Sequence, residues 1–152
     1  MSSYLTFYLV PKKTKTKYNK DDKEIEIELT QEPLSLLSYC RSSDIYQAYY
    51  ENLHPAYCGN EEKYTELTYQ DAINVRDTYN KEYVEATEKR LQILYKMLRE
   101  KYDSDITEDI ISSEEYLSEC KDTLELLNVI CGIVYEVTEG YGDFEKVLIN
   151  ID

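Results

Sequence analysis

The sequence predicts an α+β fold: a small antiparallel or mixed sheet of three or four strands, a short helix, and a long protruding antiparallel helical hairpin. Three observations predict it. Residues 24–30 alternate strictly between charged and apolar. Residues 69–102 run for 34 positions without Gly or Pro, with apolar residues at three- and four-residue spacing. Residues 4–10 are β-branched and aromatic, and residues 144–151 put Val147, Ile149 and Ile151 on one face, so both segments read as strands. At 152 residues the chain is about one domain's worth. A globule of that size buries roughly 68–70% of its unfolded surface, enough for a core without metal or disulfide staples. The expectation is a single domain over residues 1–152, with sheet from 3–40 and 143–151, short helix 44–53 and hairpin 69–138.

The elements follow in order. In residues 4–10, Leu5, Phe7 and Leu9 share one face and Tyr4, Tyr8 and Val10 the other. Both faces are apolar enough for an interior strand, ended by Pro11. Lys12 to Asp22 is polar and aperiodic and reads as an exposed hairpin loop. Glu24 to Thr30 places Ile25, Ile27 and Leu29 toward the core and Glu24, Glu26 and Glu28 toward water. Residues 34–40 fit strand or helix; Pro33 before them and Arg41-Ser42-Ser43-Asp44 after them favour a short strand. From Asp44, Ile45, Tyr49 and Leu53 recur at helical spacing, and His54-Pro55 is the expected stop. Ala56 to Glu66 reads as loop.

Thr68 with Asp71 forms an approximate capping box for the long helix. Its expected seam is Ile73, Asn80, Val84, Thr87, Leu91, Leu94 and Leu98, widened by Tyr79, Tyr83 and Tyr95, with Asn80 and Thr87 fixing register where they meet the partner helix. Asp103-Ser104-Asp105 is the expected turn, and 107–111 a short helical segment. Ser112 with Glu115 is a second capping box, starting a helix that runs to Val137 and stops at Gly140. The seam of that helix is Leu117, Cys120, Leu124, Leu127, Cys131 and Val134. Nine of the fourteen residues from Leu124 to Val137 are Leu, Val, Ile or Cys. A helix apolar nearly all round needs cover on more than one side. Where the sheet does not reach, that cover would come from a second copy, another protein or the hairpin's own tyrosines.

Charge narrows the function. The formal net charge is −14. Residues 1–23 carry six lysines and two aspartates, a net +4, while Asp103 to Asp152 carry fourteen acidic residues against Lys121 and Lys146, a net −12. Such a chain is poorly suited to binding nucleic acid directly, because phosphate binding relies on Lys and Arg displacing counterions. It is equally unsuited to anionic membranes. The start has no basic-then-apolar leader, and the 14-residue stretch 124–137 is too short and too charged to span a bilayer. Cys40, Cys58, Cys120 and Cys131 lack paired spacing, as expected of reduced thiols. These features together predict a cytoplasmic protein.

Catalytic signals are sparse. His54 is the single histidine, and no nucleophile elbow, phosphate loop or dinucleotide fingerprint occurs. The expectation is therefore a protein that is not an enzyme and carries no cofactor and no metal. Three candidate sites remain. An acidic face over Glu108, Asp109, Glu114, Glu115, Glu119 and Asp122 would meet a partner protein with a basic surface. Tyr46, Tyr50, Tyr57 and Tyr64 belong to a tyrosine-dense segment, and tyrosine gives large contact area at low entropic cost. Arg41, Ser42 and Ser43 at a strand-to-helix junction could hold an anion or simply cap the helix.

The leading expectation is a non-catalytic acidic protein-binding module. A sharper version is an inhibitor of the kind phages and mobile elements encode, its carboxylates imitating DNA phosphates in a basic nucleic-acid-binding cleft. The first alternative is a structural subunit that self-assembles, as a homodimer, through the hairpin. A small hydrolase or anion-binding protein built on Arg41, Ser42 and Ser43 comes last.

Overall fold

The structure, a computed structural model, describes residues 4–57, 64–99 and 104–151, with side chains at all of these except 54–57, 97, 98 and 104–112. It is α+β, with a long antiparallel helix pair. The elements are β1 (Tyr4–Pro11), β2 (Thr14–Tyr18), β3 (Glu24–Glu28), β4 (Leu34–Cys40), α1 (Asp44–Tyr57), β5 (Thr65–Glu66), α2 (Tyr69–Arg99), α3 (Ser104–Thr138) and β6 (Phe144–Ile151).

The main sheet is antiparallel with order β4-β1-β6-β5. The first and last strands are thus its two central ones, with Leu5 opposite Ile151 and Leu9 opposite Val147. Both need apolar residues because neighbours flank them on each side. Leu5, Phe7, Val147 and Ile149 are buried against the helices. Phe7 meets the edges of Tyr39 and Tyr49, with centroids 6.3 and 5.2 Å away. On the opposite face Tyr64 packs edge-on against Tyr8 at 4.7 Å.

Residues 14–28 depart from expectation. Lys12 to Asp22 is not a loop throughout; it contains β2, which pairs with β3 in a separate two-stranded ribbon. Only residues 19–22 turn. Asn19 Oδ1 accepts hydrogen bonds from the backbone of Asp21 and Lys23, and Asp22 takes a left-handed φ of 56°. Short polar Asp tolerates that conformation better than most side chains. Ile25 and Ile27, expected in the core, are instead 43% and 37% exposed. The reason is topological. β6 takes one edge of β1 and β4 the other, leaving β3 only β2 as a partner. The ribbon's root is tied to the end of the hairpin: Lys12 Nζ donates to the Gly140 carbonyl at 2.7 Å, and Lys15 pairs with Asp143 at 2.9 Å.

Helix α1 continues past His54-Pro55 to Tyr57. Proline there removes only the bond to the Glu51 carbonyl in the last turn, too little to end the helix earlier. The segment after it was expected to be loop to Glu66, but Thr65 and Glu66 pair with Ile149 and Leu148 of β6.

Helices α2 and α3 pack along one another over the described length. Thr68 caps α2, its hydroxyl accepting from the Asp71 amide at 3.1 Å. The buried face of α2 is turned by one residue from the expected seam. Ala72, Val75 and Tyr79 are buried, and Tyr83, Ala86, Arg90 and Ile93 are half-buried below them. Asn80, Val84, Thr87 and Leu91 are exposed, so Asn80 and Thr87 do not fix register against α3. Thr87 bonds the Tyr83 carbonyl of its own helix instead. One residue is about 100° around a helix. Tyr79 and Tyr83, expected at the margin of the seam, lie at its centre with Ala72 and Ala86.

Helix α3 is unbroken from Ser104, so Ser112 is interior and starts no new segment. The expected turn residues Ser104 and Asp105 already lie in it. Its core face is Cys120, Thr123, Leu127, Ile130, Cys131 and Val134, close to the expected seam, with Leu117 and Leu124 half-buried. Gly140 ends the helix with φ 82°, donating to the Val137 carbonyl while Tyr141 donates to Glu136. That is a Schellman closure, in which a left-handed glycine satisfies the last carbonyls.

Candidate functional site

The outward face of α3 gathers the features that distinguish this surface. Residues four apart on a helix, or three, lie above one another. Glu115, Glu119 and Asp122 therefore continue directly into Leu126, Val129 and Ile133. The acidic residues are exposed, and so are Leu126 at 40% and Val129 at 55%. Glu125 and Glu136 flank the apolar part on one side. At its lower end Ile133 shares a small crevice with Leu36 and Leu37 of β4, where Leu34 and Leu36 are also exposed. The result is a stripe, acidic at the hairpin's outer half and apolar toward the sheet edge.

The expected acidic residues divide accordingly. Glu115, Glu119 and Asp122 lie on this stripe. Glu114 is turned toward α2, where Arg90 donates to its carboxylate at 2.8 Å. The side chains of Glu108 and Asp109 lie outside the described residues, although their backbone belongs to α3. The apolar continuation through Leu126, Val129 and Ile133 was not singled out as a site. Its signal was the nearly all-round apolar run from Leu124 to Val137.

The tyrosines do not form one surface. Tyr46 is 2% exposed and belongs to the core; Tyr50 stacks on it at 5.8 Å with its outer side open. Tyr64 lies against the sheet's far face. Tyr57 is the last residue of α1, and its side chain is outside the described residues.

At the β4–α1 junction the capping role is the one occupied. Ser43 Oγ donates to the Cys40 carbonyl at 2.7 Å and accepts from the Tyr46 amide at 3.2 Å. The Gln47 side-chain amide donates to the Arg41 carbonyl. Ser42 Oγ lies 3.1 Å from the Cys40 sulfur, and this contact lowers the thiol's pKa. Cys40 is exposed, whereas Cys120 and Cys131 are buried; all three are free.

A cavity of about 110 Å³ lies among the three helices, lined by Asp44, Glu51, Glu82, Tyr79 and Tyr116 among others. Burial, then repulsion from Glu51 and Glu85, raises the Glu82 carboxyl above its ordinary pKa. Burial and the neighbouring Cys120 thiol raise the Tyr79 hydroxyl. Both shifts favour the neutral form of the group over its anion. Among the described residues no group of three His, Cys, Asp or Glu side chains could hold a metal ion. Nor is any described helix long and apolar enough to cross a membrane. Comparison with protein-family models, curated proteins and solved structures finds no match for this chain.

Proposed function

We propose that this protein is a non-catalytic binding module that docks a partner protein along the outward face of α3. The observation that carries the reading is the continuity of Glu115, Glu119 and Asp122 with exposed Leu126 and Val129 on that face. Carboxylates alone solubilise, and scattered exposed apolar residues need no explanation. A contiguous apolar patch bordered by charge of one sign has the anatomy of an interface, with a dry centre and a polar rim. The partner would present a basic surface around an apolar centre. In its sharper form the module is an inhibitor, its acidic turns occupying a cleft that otherwise receives nucleic-acid phosphate.

The test is affinity capture with the full chain beside a Glu115→Lys, Glu119→Lys, Asp122→Lys variant. Basic proteins held by the first, absent from the second and released as salt rises support the reading, because screening weakens exposed charge pairs. Identical captured sets overturn it.

A second reading, self-assembly through the hairpin, is favoured by the apolar residues Val84, Leu91 and Tyr95 left exposed along α2. Their spacing puts them on one face, as a bundle of two copies would require.

A further inference from the structure

The ribbon formed by β2 and β3 carries the counterpart of the α3 stripe. Residues directly opposite in an antiparallel pair share a face. Lys15 lies opposite Ile27, and Lys17 opposite Ile25, so these four share one face; Glu24, Glu26 and Glu28 share the other with Thr14, Thr16 and Tyr18. One face of the ribbon is therefore apolar and basic. It packs extensively against no other described element of its own chain. A solitary two-stranded hairpin is marginally stable in water and gains stability by covering an apolar face.

We propose that this arm docks on the α3 stripe of a second copy of the chain, and that two copies exchange arms in a closed dimer. Three features match. Apolar meets apolar, Ile25 and Ile27 on the arm against Leu126 and Val129 on the helix. Charge is opposite at the rim, with Lys17 on the arm and Asp122, Glu125 and Glu136 around the stripe. Length agrees: a five-residue strand spans about 17 Å, and so does helix from Asp122 to Ile133. The same two surfaces meet twice about a two-fold axis, which closes the assembly. The arm's root lies at the end of α3, held by the contacts of Lys12 with Gly140 and Lys15 with Asp143, so the arm springs from the end of the helix that carries the stripe. The acidic face of the arm is left toward solvent.

The inference rests on the reading of the stripe as a docking face, and names its occupant. It is tested with the purified full chain by light scattering across a wide concentration range. A mass of two chains is expected, with Ile27→Asp and Val129→Asp each weakening dimerisation by more than about tenfold. Both positions are exposed, so each variant should keep the parent's circular dichroism. Lys17→Glu should weaken the dimer, and adding Asp122→Lys should restore it. A disulfide should also join an Ile27→Cys chain to a differently tagged Val129→Cys chain, both carrying Cys40→Ser and Cys58→Ser.

A monomer at every concentration overturns arm exchange but leaves the stripe open to another protein, which the charge-reversed capture decides separately. A dimer indifferent to Ile27→Asp and Val129→Asp, or one whose cysteines do not cross-link, also overturns it.

Discussion

Individual side chains show how local chemistry settles questions that spacing leaves open. Arg41-Ser42-Ser43 fits either an anion site or a helix start, and Ser43 uses its hydroxyl as the start. Ser43→Ala should therefore destabilise the fold by about 1 kcal/mol in urea unfolding. Cys40 is exposed, and its thiol is lowered by Ser42. A thiol reagent should modify it in the folded protein at neutral pH while Cys120 and Cys131 stay protected, and Ser42→Ala should slow the reaction. Glu82 shows the opposite sign. Its carboxyl is raised in the folded state, so the unfolded chain loses that proton first as pH rises. Ionised Glu82 then opposes folding at neutral pH, and the penalty vanishes once both states are protonated. Glu82→Gln should raise stability at pH 7, with the gain disappearing below the ordinary carboxylate range of about 4; denaturant midpoints at the two pH values check it.

At the level of elements, pattern was legible where one face dominates and misleading where two compete. The terminal strands and the existence of both long helices follow from β-branched runs and from the absence of breakers. Strict alternation in 24–28 correctly gave a strand yet placed its isoleucines in the core, because alternation marks a two-faced strand and says nothing of which sheet it joins. The centre of the α2 seam was misplaced because Tyr79, expected at its margin, is buried and Tyr83 packs against the core, while aliphatic Val84 and Leu91 are exposed. The corrected face has a direct consequence. Val75→Ala, at a buried position, should cost about 2 kcal/mol, and Val84→Ala well under 1; matched unfolding curves separate them. Leu127→Ala should cost 2–5 kcal/mol by the same argument, roughly the range for a buried leucine, and Leu126→Ala much less. The acidic half of the docking stripe was readable as charge density. Its apolar half was hidden, because nothing in a nearly all-apolar run says which side the sheet and α2 will leave bare.

The molecule as a whole carries its charge asymmetrically: a basic amino-terminal stretch, with a net −12 from Asp103 to Asp152. Like charges crowded on a folded surface repel more than on an expanded chain. Raising salt from about 10 mM to 150 mM shortens the Debye length from about 30 to 8 Å. The thermal midpoint should rise over that interval, as calorimetry would show, while the affinity for a basic partner falls. The central position of β1 and β6 matters on another scale, that of synthesis. The first residues of β1 and β6, Tyr4 and Phe144, are 140 positions apart in the chain, so β1 leaves the ribosome well before β6. At 5–20 residues per second the interval is on the order of ten seconds. Throughout that time Leu5 and Phe7 have no β6 partner on one side, while α1, α2 and α3 are made one after another. The helices can therefore pack before β6 is made, but the sheet closes only when β6 arrives. Nascent chains should stay sensitive to protease and dependent on holding factors until then, and become resistant in one late step.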